Sequence, residues 1–90
     1  MTNPEFIKAL DRFRASMLAK FEARDVKQGE RSVTRVGNAL LQEHGVYEDL
    51  WQHFYEEVAE FQLAERAEEK VGEAVDVANM AFLIWWRDGG

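Results

Sequence analysis

The chain has 90 residues, no cysteine, and a formal net charge of −6 from 17 acidic and 11 basic residues. The length predicts one domain over residues 1–90, too small to bury much of its own surface. The missing cysteines exclude a disulfide framework and a thiolate metal site, and the acidic balance argues against a DNA- or RNA-binding module, which would show a basic face.

The N-terminus runs straight into a charged amphipathic stretch rather than a signal peptide. The longest apolar run, Met80 to Trp86, is far too short to span a bilayer. The expectations are therefore a cytoplasmic location and no membrane partner.

Asn3, Pro4 and Glu5 read as a helix start, with a capping side chain followed by proline at the first helical position. Phe6, Leu10, Phe13, Met17 and Phe21 then recur at helical spacing. The polar stretch from Asp25 to Ser32 breaks that period and predicts a loop, with Ser32 capping the next helix. Val33, Val36, Leu40 and Leu41 mark a short second helix closing near His44 and Gly45. A third helix is expected from about Tyr47 to Ala67, carried inward by Leu50, Phe54, Val58 and Phe61. A fourth is expected from about Glu69 to Arg87, carried by Val77, Met80 and Ile84. The fold class is all-α, a small bundle of about four helices. Met80 and Ile84 face one way on the fourth helix and Phe82, Trp85 and Trp86 the other, so that helix is apolar nearly all round. Such a helix is buried on both sides, and the expected assembly is a homodimer or a tetramer that completes the bundle.

Two acidic strings stand out: Glu56-Glu57-Val58-Ala59-Glu60 on the third helix and Glu73-Ala74-Val75-Asp76 on the fourth. Residues three apart share a helix face, so each string offers two carboxylates side by side. At roughly 100° per residue, Glu57 falls about 20° from Leu50, and Glu73 about 20° from both Met80 and Ile84. Glu60 lies at the edge of its stripe, Glu56 further round, and Asp76 on the flank. A carboxylate on a core-facing stripe is costly unless it is paired, hydrogen-bonded or metal-bound. A short turn near Glu68 brings the two strings together, with Arg66 and Lys70 as basic residues at that turn. Glu-rich helices are more often solvated faces, but four carboxylates converging on one point favour multivalent hard cations. All-oxygen ligation selects Mg²⁺, with Mn²⁺ as the alternative. Neither His44 nor His53 has a glutamate three residues before it, so a di-iron Glu-x-x-His site is excluded. A phosphate-binding G-x-x-x-x-G-K-[ST] loop and an H-E-x-x-H helix are also absent.

The E-E-x-x-E string, 12 intervening residues and E-x-x-D resemble the signature of the MazG-like all-α nucleoside triphosphate pyrophosphohydrolases. Asp76-Val77-Ala78-Asn79 is similar to a string of the short, phage-type branch, and Lys27-Gln28-Gly29 loosely resembles its K-G element. The similarity covers about Lys27 to Trp86. It implies Glu57, Glu60, Glu73 and Asp76 as metal ligands, with Glu56 supporting them and Glu56 or Glu57 as general base. It also implies Asn79 at the nucleotide, Lys27, Arg31 and Arg35 toward phosphates, and Trp51 with Phe54 as a stacking face. For the basic residues ordinary surface charge is an equal reading, and for the aromatic pair a place in the core. Glu30 and Arg31 stand where several members carry tryptophan, so no base preference is implied. The activity implied is hydrolysis of a nucleoside triphosphate to monophosphate and pyrophosphate. The alternatives are a non-catalytic helical oligomerisation module and a degenerate relative that binds nucleotides beside a structural metal.

Overall fold

The computed structural model describes residues 2–43 and 49–90, and of Val26, Lys27, Gln28 and Glu30 the backbone alone. Among them every regular element is helical: α1 (Pro4–Gln28), a 3-10 turn (Gly29–Arg31), α2 (Val33–Val36), α3 (Asn38–Gln42), α4 (Leu50–Leu63) and α5 (Ala67–Arg87). That is five α-helices rather than about four. None is long and apolar enough to cross a membrane.

The predicted start of α1 is in place. Asn3 Oδ1 accepts the Glu5 backbone N–H at 2.8 Å, and Pro4 holds the first helical position. The expected loop at Asp25–Ser32 is a correction: α1 continues to Gln28 and ends where Gly29 adopts a positive φ of 66°. Asp25 lies one turn beyond Phe21 on the same face, and both are buried. Its carboxylate accepts a hydrogen bond from the Thr34 hydroxyl. A buried polar residue with a dedicated partner thus extends a helix that its composition reads as loop.

The second predicted helix is likewise two. Gly37, at φ 79°, ends α2 and starts α3. The bend lets Val33, Leu40 and Leu41 all reach the core. From α3, Asn38 Nδ2 and Gln42 Nε2 donate to the carbonyls of Trp86 and Arg87 at 3.1 and 2.5 Å. Those are among the last carbonyls of α5, which the helix itself leaves without donors.

The third predicted helix is shorter than expected, ending at Leu63. Its expected start at Tyr47 and the second helix's close at His44 and Gly45 lie outside the described residues. In the structure Asp49 caps α4, accepting the Gln52 N–H at 3.2 Å. Ala64–Arg66 reverse the chain, and α4 and α5 pack along one another as a hairpin. Arg66 then pairs with Glu69 in the first turn of α5 at 2.5 Å.

The core is formed by Phe21, Val33, Leu40, Leu41, Leu50, Met80, Leu83 and Ile84, with Phe54, Phe82 and Trp86 packed against it. Only the second half of α1 takes part. Phe6 and Leu10 are 61% and 54% exposed, and Phe61 and Trp85 are also exposed. A 25-residue helix is roughly 37 Å long, and the first half of α1 leaves the body of the protein. The radius of gyration, 14.3 Å, accordingly exceeds the roughly 12 Å of a compact chain of this length.

Candidate metal centre

Glu57 and Glu60 come from α4 and Glu73 from α5, on faces turned toward each other by the hairpin. One carboxylate oxygen of each lies within 4.8 Å of the others. Opposite ligands of a hard divalent cation are about 4–5 Å apart, so three oxygens at this spacing suit one such ion. Glu57 and Glu73 are half-buried and Glu60 is exposed, the order that their helical angles predict.

Two atoms define the chemistry further. Glu57 Oε2 and Glu73 Oε2 are buried and have no hydrogen-bond partner among the described residues. A buried carboxylate oxygen without a donor is expensive. Burial first, and then the charge of Glu60, push the Glu57 carboxyl up from 4.5 to about 7; Asp76, a hydrogen bond with Glu60, and Glu73 add to this. Glu73 is raised too, by burial and by the charges of Asp76 and Glu60, with Lys20 acting in the opposite direction. The site therefore either binds protons at unusually high pH or binds a cation. Its all-oxygen donor set fits Mg²⁺, Mn²⁺ or Ca²⁺ rather than zinc.

Asp76 stands on the next turn of α5 and is engaged otherwise. Lys20 of α1 donates to its Oδ1 at 2.6 Å and to the Gly72 carbonyl at 2.9 Å. Lys20, Arg24, Glu57, Asp76, Asn79 and Met80 line a cleft of about 30 Å³ between α1 and the hairpin. That is room for a water or an ion, and far below the several hundred Å³ of small-molecule pockets. Asn79 is only 7% exposed. Its Nδ2 donates to the Met17 carbonyl at 3.3 Å, while its Oδ1 is buried without a donor among the described residues.

The remaining candidates are scattered. Glu56 is exposed and accepts from Gln52 Nε2, one turn earlier on α4, at 3.3 Å. Arg31 pairs with Glu43 at 2.5 Å, and Arg35 is exposed on α2. Trp51 is half in solvent and contacts Phe54 and Tyr55 along α4. The side chain of Lys27 and the whole of His44 lie outside the described residues; His53 is exposed. Nothing in the sequence singles out Lys20 and Arg24. The only signal there was two basic residues four apart on a helix with an apolar stripe, a pattern common on solvated faces.

Fold and site together define a small helical protein with a carboxylate cluster in its α4–α5 hairpin. Compared with known protein families, characterised proteins and solved structures, the chain matches none of them.

Proposed function

We propose that the protein is a metal-dependent nucleoside triphosphate pyrophosphohydrolase of the MazG-like kind. The carrying observation is the convergence of Glu57, Glu60 and Glu73 within 4.8 Å, with buried, donor-less oxygens on two of them. In this reading Glu57, Glu60, Glu73 and Asp76 hold Mg²⁺ or Mn²⁺, which when bound supplies charge for the triphosphate and lowers the pKa of a water. Water oxygen bonds to the α-phosphorus, the bond from that phosphorus to the α–β bridging oxygen breaks, and pyrophosphate leaves. Glu56 or Glu57 takes the water's proton. Asn79 holds the nucleoside side, and basic side chains balance charge that develops on the phosphates.

The reaction belongs in the cytoplasm, with the chain as a homodimer or tetramer. The described cleft is too small to enclose a nucleotide, so a second copy would close it. The exposed stripe on the first half of α1 favours the second reading, a helical oligomerisation module whose acid cluster binds metal structurally.

Pyrophosphate release from a panel of nucleoside and deoxynucleoside triphosphates, with and without Mg²⁺, separates the two. The expected result is pyrophosphate and monophosphate only when metal is present, and turnover reduced at least about a hundredfold in Glu60→Gln and Asp76→Asn. Release of orthophosphate, or of nothing from any triphosphate, excludes the enzyme. Wild-type turnover in both variants would move the site elsewhere.

A further inference from the structure

Lys20 is the side chain whose position the proposed chemistry leaves unused. It belongs to α1, outside both acidic strings, yet its ammonium sits on Asp76 Oδ1 at 2.6 Å and on the Gly72 carbonyl at 2.9 Å. The pair is not locked in the interior: the side chains of Lys20 and Asp76 are 40% and 32% exposed. Ion pairs that open to water are weak, and a lysine ammonium on four methylenes swings several ångströms by rotamer changes alone. A divalent cation therefore has access to the same Asp76 oxygen, and a +2 charge there repels the ammonium that it replaces.

The cleft holds a second cationic side chain beside Lys20. Arg24, one turn along α1 from Lys20, lines the same space as Glu57, Asp76 and Asn79. Asn79 supplies the independent sign of a ligand: it lines the same cleft, is more than nine-tenths buried, and among the described residues its Oδ1 has no donor, so that oxygen calls for a hydrogen-bond donor or a cation. Two cations beside a carboxylate cluster suit a polyphosphate, whose oxygens face divalent metal on one side and ammonium or guanidinium on the other.

We propose that Lys20 is a metal-displaced phosphate ligand, holding Asp76 until a divalent cation takes that carboxylate and then moving, with Arg24 beside it, onto the substrate's phosphates. The inference rests on the triphosphate reading for its substrate, but its first step concerns metal alone. In the metal-free protein Lys20 neutralises the site; in the loaded protein it is a binding residue for the chain of phosphates. Metal and phosphate then bind cooperatively, because the first releases the group that the second uses.

Two calorimetric titrations test this on the full chain in wild type, Lys20→Gln and Lys20→Arg, with helicity followed by circular dichroism. The probes are Mn²⁺ alone and inorganic tripolyphosphate at saturating Mn²⁺. Loss of the competing ammonium in Lys20→Gln should tighten Mn²⁺ binding by up to roughly fivefold, the worth of a partly exposed ion pair. The same variant should weaken tripolyphosphate binding by about tenfold or more, the loss of a charged hydrogen bond. Lys20→Arg keeps the charge and should stay near wild type in both. Weaker Mn²⁺ binding in Lys20→Gln would make Lys20 a structural support for Asp76 and overturn the proposal. Tighter Mn²⁺ binding with unchanged tripolyphosphate binding would make it a counter-ion only, and overturns it equally. A wild-type protein that binds both probes but hydrolyses no nucleotide defeats the enzymatic reading and leaves the role of Lys20 decided by these titrations.

Discussion

At Glu57 three neighbouring carboxylates and partial burial act on one group, and the result is a stability that depends on pH in an unusual direction. Its folded-state carboxyl is raised to about 7, above that of an exposed glutamate in the unfolded chain. Over the intervening range the native state holds a proton that the unfolded state has lost. The contribution is fully present below the unfolded value and is lost as pH rises through about 7. Glu73 shifts the same way. The metal-free protein should therefore have a urea midpoint that falls between pH 5 and pH 8, with a smaller fall in Glu57→Gln. Mg²⁺ should offset the loss most at the upper end, because the ion binds the deprotonated carboxylates. Identical pH profiles for wild type and Glu57→Gln would mean that Glu57 titrates like a surface residue.

Among the elements, the α2–α3 bend depends most on a single position. Gly37 has a φ of 79°, and a β-carbon there would meet the Trp86 ring at 3.6 Å. The contact is tolerable, but the backbone conformation is not one that alanine readily adopts. Gly37→Ala should cost roughly 1–2 kcal/mol in a chemical denaturation curve. An unchanged or increased stability in Gly37→Ala would show that the bend relaxes freely. The sequence carried this glycine in view, inside a run whose apolar residues fit one helix. The reversal expected near Glu68 lies a few residues earlier, at Ala64–Arg66, where no glycine or proline marks it. There the hairpin is set by burial of the α4 and α5 faces against one another, not by a stop signal.

For the whole molecule, an apolar stripe of about half a helix has no cover among the described residues. Phe6, Ile7, Leu10 and Leu18 of α1 are exposed, as is Trp85 on α5, and stripes of this kind mark interfaces. Light scattering at micromolar concentration should give a dimer or tetramer of the 10.4 kDa chain. The double change Phe6→Asp and Leu10→Asp should shift it toward monomer with α4 and α5 still helical. A wild-type monomer would refute the assembly. Metal should stabilise in either case: a ligand bound only by the native state at about a hundredfold its Kd adds roughly 2.7 kcal/mol. For so small a protein that raises Tm by on the order of ten degrees or more. The shift should saturate with Mg²⁺, shrink in Glu57→Gln and exceed that from sodium at equal ionic strength. Equal shifts from the two salts would leave the cluster an ordinary charged surface.

The sequence by itself determined the helical class, the start of α1 and the facing of the acidic strings. These follow from local chemistry: a capping side chain, a proline, and a period of about 3.6 residues that places Glu57 and Glu73 on inward faces. Only the tertiary structure decided which cation meets them. Lys20 lies 56 positions before Asp76, and no periodicity relates the two. Their pairing depends on how α1 crosses α5, which is set by Phe21 entering the core that holds Met80 and Leu83 and packing edge-on against Phe82 at 6.2 Å. For the same reason the phosphate-facing charges read from the loop and α2, Arg31 and Arg35, lie on exposed surface, while the cleft receives Lys20 and Arg24. Spacing along one helix reveals which residues share a face; which face of another helix they meet is fixed by burial of the apolar residues around them.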